Sequence, residues 1–165
     1  GKIYGDMHWE IFDREKSKSV TAVSLESTNG QIVSDTGYDV LQRPTDWQKG
    51  HSTFFVGLRL EGVPTSEFLP RLTQHVHRVK NTFSSMGLEG YIVVATENYE
   101  VAFMNWREQT DADRAFATPK GQSIASEAQG LMKPLQWATA LDFNGRIQPG
   151  QVVNVKFQRR PPNEL

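Results

Sequence analysis

Cysteine is absent from the chain. That removes disulfides, thiolate metal sites and a cysteine nucleophile together. Long apolar runs are absent too: no stretch reaches the roughly 18 residues that a membrane-spanning helix needs, and no signal-peptide pattern is present. The chain opens with Gly1-Lys2 rather than methionine, which reads as a processed product or a piece of a longer protein. Any membrane attachment is therefore expected only through an anchor outside this chain. An excess of charge of one sign is also missing. Eighteen basic and nineteen acidic residues leave a net charge of −1, so no global field draws in nucleic acid or anionic lipid. Strands without a basic stripe interleaved with aromatics argue against nucleic acid in the same direction. The local basic cluster, Lys156 with Arg159 and Arg160 before Pro161-Pro162, reads as a solvated end.

Catalytic signatures are equally scarce. No G-x-S-x-G, phosphate-binding loop, dinucleotide fingerprint, HExxH or EF-hand pattern occurs. Ser84-Ser85, Ser123 and Ser126 have no base beside them in sequence. Asp111 and Asp113 open a helical zone, where their charge complements the helix dipole.

What is present is a patterned chain of 165 residues, a length suited to one domain. The spacing predicts three parts: an N-terminal β-hairpin extension (1–50), an α+β domain (51–144), and a C-terminal strand and tail (145–165). In the first part, Val20 to Ser27 and Gln31 to Leu41 read as strands. Asn29-Gly30 between them is the preferred pair for a type I′ turn. His8 to Phe12 reads as a further strand, and Pro44 to Gly50 has turn chemistry.

From His51 the periodicity sharpens. Phe54, Val56, Leu58 and Leu60 alternate on a strand. Thr65 or Ser66 is the expected N-cap of a helix. Its stripe is Phe68, Leu72, Val76, Val79, Phe83 and Met86, with Pro70 near its start and Gly87 at its end. Tyr91–Thr96 and Val101–Arg107 should pair as an antiparallel hairpin, with residues 97–100 as the turn. A helical zone from about Thr110 to Met132 is broken at Thr118-Pro119-Lys120-Gly121 and stopped by Lys133-Pro134. Leu135 to Phe143 then alternates as a fourth strand. The order from 51 to 143 is β-α-β-β-α-β, the ferredoxin-like arrangement. Val152 to Phe157 reads as a last strand that extends or covers a sheet edge, with the N-terminal hairpin as a candidate partner.

The run NWREQTDADRAFATPKGQSIASEAQGLMKP carries a resemblance. A strand ending in Trp106, a polar turn, a helix bearing Phe116, a break at Ala117-Thr118-Pro119, a second helix, a proline and a last strand follow in order. This layout resembles the antibiotic-biosynthesis monooxygenase family over residues 52–143. The resemblance implies a dimeric α+β barrel in which two ferredoxin-like sheets stack face to face. It also implies a cofactor-independent oxygenase acting on a planar aromatic substrate, so no cofactor is expected. The haem-degrading members fit less well. Their pattern calls for an asparagine on the first strand, where FFVGLRLEG has none, and Phe116 stands where they carry a tryptophan. The segment Ser123–Met132 lacks the histidine that ligates haem.

Bulky groups on both faces of the strands (Phe55, Tyr91 or Ile92, Phe103 or Met104) demand a second cover over the sheet. Either a second copy of the chain, as a homodimer, or the chain's own N-terminal hairpin could supply it. The expected site residues are His75, at the rim of the helical stripe, and Asn105, Trp106 and Arg107, which end the third strand. Trp106 or Asn105 would wall a pocket between sheet and helices, and Arg107 would orient an anionic group. His77 is expected to face solvent, since H-x-H on a helix diverges by about 200°, and no metal site is expected. Trp137 reads as core. The leading expectation is a small-molecule-binding, monooxygenase-like domain whose partner is an aromatic molecule. The alternative is a non-enzymatic protein-interaction module, the soluble domain of a membrane-anchored secretion or pilus assembly protein.

Overall fold

A computed structural model describes residues 8–12, 17–138 and 152–156, with side chains over 22–134. The elements run β1 (His8–Phe12), β2 (Ser17–Ser24), a 3-10 turn (Leu25–Thr28), β3 (Thr36–Asp39), β4 (His51–Arg59), α1 (Thr65–Phe83), β5 (Leu88–Thr96) and β6 (Tyr99–Trp106). There follow α2 (Gln109–Ala117), α3 (Pro119–Gln129), β7 (Met132–Ala138) and β8 (Val152–Lys156). The described strands form one sheet in the order β7-β4-β6-β5-β3-β2-β1-β8. Its first four members, all paired antiparallel, are the ferredoxin-like core expected from the sequence, with α1 joining β4 to β5 and α2 and α3 joining β6 to β7. The class is α+β.

The N-terminal strands join this core differently from the hairpin expected across Asn29-Gly30. β2 and β3 pair parallel, and the antiparallel hairpin is β1–β2 instead. Asn29 and Gly30 do take positive φ, 58° and 75°. They use it to close the 3-10 turn, the Asn29 and Gly30 N–H groups bonding to the Glu26 and Leu25 carbonyls. The conformational preference was legible, and the partner it served was not. β3 then extends the sheet at β5, and β8 pairs parallel with β1, the strand before the expected hairpin rather than either of the hairpin's own strands.

Helix α1 buries Phe68, Leu72, Val76, Val79 and Phe83 as its stripe predicts. It starts at Thr65, with Pro64 as N-cap and no side-chain cap, so neither Thr65 nor Ser66 caps it. The break between α2 and α3 falls where expected. Thr118 Oγ1 accepts the Gly121 N–H at 3.0 Å and Pro119 opens α3, the side chain serving one of the orphan donors of a helix start. α3 ends at Gln129 with Gly130 as its cap, so Pro134 does not stop it. Pro134 sits instead within β7, next to a register shift opposite Val56/Gly57. An edge strand at a bulge tolerates the missing N–H. β7 ends at Ala138; the expectation of a strand continuing to Phe143 lies outside the described residues.

Alternation sorts the core strands into two faces. Phe55, Tyr91, Val93, Ala102, Met104 and Trp106 lie in the core cluster with α1, α2 and α3. Phe54 and Phe103, opposite one another in register with ring centroids 5.4 Å apart, occupy the other face with Val56, Ile92, Val94 and Val101. Those six side chains are buried within the single chain. This face of the sheet is therefore closed to water within the single chain. At one end of this face Thr45 and Trp47 close over Gly90, where any Cβ would meet both at under 3 Å.

Candidate functional site

Between the first sheet face and the helices lies a cavity of about 620 Å³, within the range of small-molecule sites. Strand parity builds its floor: His51, Thr53 and Phe55 from β4, Tyr91 from β5, and Glu100, Ala102 and Met104 from β6. Its roof comes from His75, Val79 and Phe83, one i, i+4, i+8 row of α1, with Phe116 from α2 and Ile124 and Ala128 from α3. The walls are predominantly apolar, and four of them are aromatic rings. Phe83 and Phe116 meet edge-on with centroids 4.9 Å apart, an arrangement that holds aromatic walls in place.

Two polar groups on this floor are orphaned. Thr53 Oγ1 and Glu100 Oε2 are buried without a hydrogen-bond partner. A buried polar atom left unpaired costs about 1–3 kcal/mol, and a ligand group that bonds to it recovers that cost. Glu100 is 3% exposed, and burial pushes its carboxyl up to about 8. At neutral pH it is therefore mainly protonated and able to donate a hydrogen bond. Tyr91 lies near it. Burial first, and then the Glu100 charge, raise the Tyr91 phenol well above its ordinary value. Gly57 stands opposite Glu100 in the ladder. A Cβ there would run into the Phe55 ring at 2.7 Å, so the position is kept bare by the ring that walls the cavity.

On the roof, His75 is 5% exposed, and its Nδ1 lies 2.6 Å from Glu127 Oε1. Arg78 grips the same carboxylate, with its Nε 3.1 Å from Oε1 and a second nitrogen on Oε2. Burial lowers the His75 imidazole below its usual range, outweighing the raising effect of Glu127. Burial pushes Glu127 up, but the hydrogen bonds from Arg78 and His75 overcome it and leave the carboxyl low. The state that satisfies both is a neutral imidazole donating Nδ1–H to a Glu127 carboxylate. Nε2 is then the ring nitrogen without a proton.

Of the residues singled out from sequence, His75 lines the cavity and the other three do not. Asn105 has the opposite strand parity. Its Nδ2 donates to the Lys49 carbonyl at 2.9 Å and to Ser52 Oγ at 3.2 Å, tying the loop before β4 to the sheet. Trp106 is 0% exposed and packs behind the wall, 5.3 Å from Phe83 and 6.0 Å from Phe116 between centroids. Arg107 is exposed and forms a two-pronged pair with Asp111 at 2.9 and 3.0 Å. The Asp111 charge therefore faces Arg107 and not only the helix dipole. His77, expected in solvent, meets the Gly30 carbonyl at 2.6 Å.

From sequence, Glu100 falls in the four residues 97–100 expected to form a turn, where a carboxylate faces water. The turn is only Glu97-Asn98, since Thr96 pairs with Tyr99. Once the hairpin is tightened, Glu100 shares parity with Ala102 and Met104, and that alternation was the available signal. Among the described residues no three potential ligands converge on a metal site, and no helix is long and apolar enough to cross a membrane.

The fold and its interior cavity define a ferredoxin-like α+β domain, and solved structures of monooxygenase-like ferredoxin-fold proteins resemble it. The cofactor-independent oxygenase SnoaB from Streptomyces nogalater is 18% identical, with 56% of this chain and 95% of that one covered at a TM-score of 0.43. A monooxygenase-like protein from Listeria innocua is 15% identical over 84% of this chain and 82% of its own, with a TM-score of 0.45. A ferredoxin-fold protein from Listeria monocytogenes, related to antibiotic biosynthesis monooxygenases, is 14% identical over 82% and 81%, with a TM-score of 0.43. No protein-family model and no curated protein matches the sequence. Likenesses this distant agree with a fold already set by strand order and carry no argument about chemistry. The rival interaction-module reading gains no support from them.

Proposed function

We propose that the chain is a small-molecule-binding, monooxygenase-like domain that takes a planar aromatic substrate into the cavity between sheet and helices and oxidises it with dioxygen, without a cofactor. The observation that carries this reading is the cavity itself: aromatic walls around an orphaned, buried Glu100 carboxyl. An apolar slot excludes water from a reactive anion, and a polar group without a protein partner is available to a ligand. The chemistry asks little more of the protein. A substrate with an acidic CH2 between aromatic rings loses one proton, and its carbanion bonds to one oxygen of O2 while the second hydrogen stays on that carbon. Protonation gives a hydroperoxide, which expels water to leave a ketone. One oxygen atom ends in the product and the other in water.

Oxygen uptake with anthrone as the probe substrate tests it. The protein should accelerate uptake and anthraquinone formation in equal amounts. Ala125→Trp, which fills the cavity from α3, should abolish both while leaving the fold intact by circular dichroism. Uptake no faster than in buffer, with no binding of anthrone by calorimetry, would overturn the reading.

A further inference from the structure

Floor and roof of the cavity each carry a buried group able to handle a proton, Glu100 below and His75 above. Glu100 projects from β6 with Oε2 unpaired. His75 projects from α1 with Nδ1 occupied by Glu127, which is in turn fixed by Arg78. An imidazole anchored through one nitrogen by a carboxylate presents the other as a base of defined orientation. A neutral carboxyl in an apolar site presents an O–H to a developing oxyanion. We infer that His75, oriented by Glu127, is the proton acceptor of this cavity, and that Glu100 is its hydrogen-bond donor to the ligand's anionic oxygen. The inference rests on the reading of the cavity as a binding site and deepens it.

The proton leaves the ligand's O–H or C–H for His75 Nε2, and the electron pair stays on the ligand. The imidazolium so formed is compensated by the Glu127 carboxylate across the 2.6 Å contact. Glu100 keeps its proton and shares it with the ligand oxygen. The remaining titratable groups of the lining are His51, Tyr91 and Asp113. Among the described residues the charges that act on His75 are Glu127, which raises the imidazole, and Arg78, which lowers it. Glu127 acts through His75 and is a positioning residue, half-buried and clear of the ligand space.

The test uses 4-nitrophenol, whose phenolate absorbs at longer wavelength than the phenol, beside 4-nitroanisole, which cannot ionise. The wild-type protein should bind both and hold a larger phenolate fraction than free solution at the same pH. Glu127→Gln still accepts from Nδ1 but carries no charge, so it should lower the bound phenolate-to-phenol ratio about tenfold, one pKa unit. Its nitroanisole affinity should stay within about twofold, and Glu127→Asp should restore the ratio. Glu100→Leu should lower the ratio similarly by removing the donor. Equal ratios in wild type, Glu127→Gln and Glu100→Leu, with nitroanisole still bound, would overturn the acid–base assignment and leave the binding site standing. Failure of the wild type to bind either probe would overturn both.

Discussion

Glu100 shows how much one residue's parity decides. A carboxyl raised to about 8 from an ordinary 4.5 binds its proton more tightly in the folded state than in the unfolded one. Between those two values the unfolded chain holds fewer protons, so unfolding becomes easier as pH rises. The stabilising contribution is complete below about pH 4.5 and is lost as pH climbs through 8. Each unit corresponds to about 1.4 kcal/mol, so the penalty at high pH is a few kcal/mol. Glu100→Gln stays neutral at every pH. Urea titrations from pH 5 to 9 should show the variant gaining on wild type by that amount toward the alkaline end. Parallel curves would mean that Glu100 ionises freely. Asn105 gives the complementary case. Asn105→Ala removes two hydrogen bonds from a buried position and should cost about 1–3 kcal/mol of stability. Anthrone binding should be unchanged, because the side chain faces away from the cavity.

At the scale of the element, the corner between α2 and α3 sets the roof. Gly121 lies where any Cβ would meet the Ala115 carbonyl oxygen at 1.9 Å, so the two helices pack backbone against backbone there. Gly121→Ala should force them apart and cost about 2–3 kcal/mol, with anthrone affinity falling because Phe116 and Ile124 hang from the two sides of that corner. Thr118→Ala removes the side-chain cap of α3 and should cost about 1 kcal/mol with little effect on affinity. Thermal melts and calorimetry on the pair separate a displaced roof from a merely frayed helix. If both variants lost stability and affinity in the same proportion, the corner would have no special hold on the cavity.

For the whole molecule the question is what closes the second sheet face. The dimeric barrel implied by family resemblance stacks two open faces, yet Ile92, Val94, Val101 and Phe103 are already buried in one chain. The N-terminal region also feeds the first face: Leu25, Ile32, Tyr38 and Val40 belong to the same core cluster as α1. A chain starting at His51 would lose those four side chains and bare the β5 edge that β3 covers. We expect it to aggregate or to lose cooperative unfolding, whereas the full chain should sediment as a monomer at micromolar concentration. A soluble, cooperatively folding 51–165 fragment would show that the ferredoxin-like core stands by itself.

Periodicity alone determined most of the frame. The apolar stripe of α1, the Thr118-Pro119 break and the alternation of β4 through β6 are local consequences of helix and strand repeat, so the β-α-β-β-α-β order was legible before any contact was known. His75 was legible too, as a histidine on the rim of a buried stripe. What the tertiary structure decided depends on distance between chain-remote residues. Glu127 comes to His75 from 52 positions away. The parallel pairing of β2 with β3 replaced the local hairpin that Asn29-Gly30 suggested. Glu100 became a cavity carboxyl because the β5–β6 turn closed over two residues instead of four. Local propensity specifies which elements form. Whether a polar side chain ends in water or in a dry cavity depends on register and on what packs above it, which no window of sequence contains.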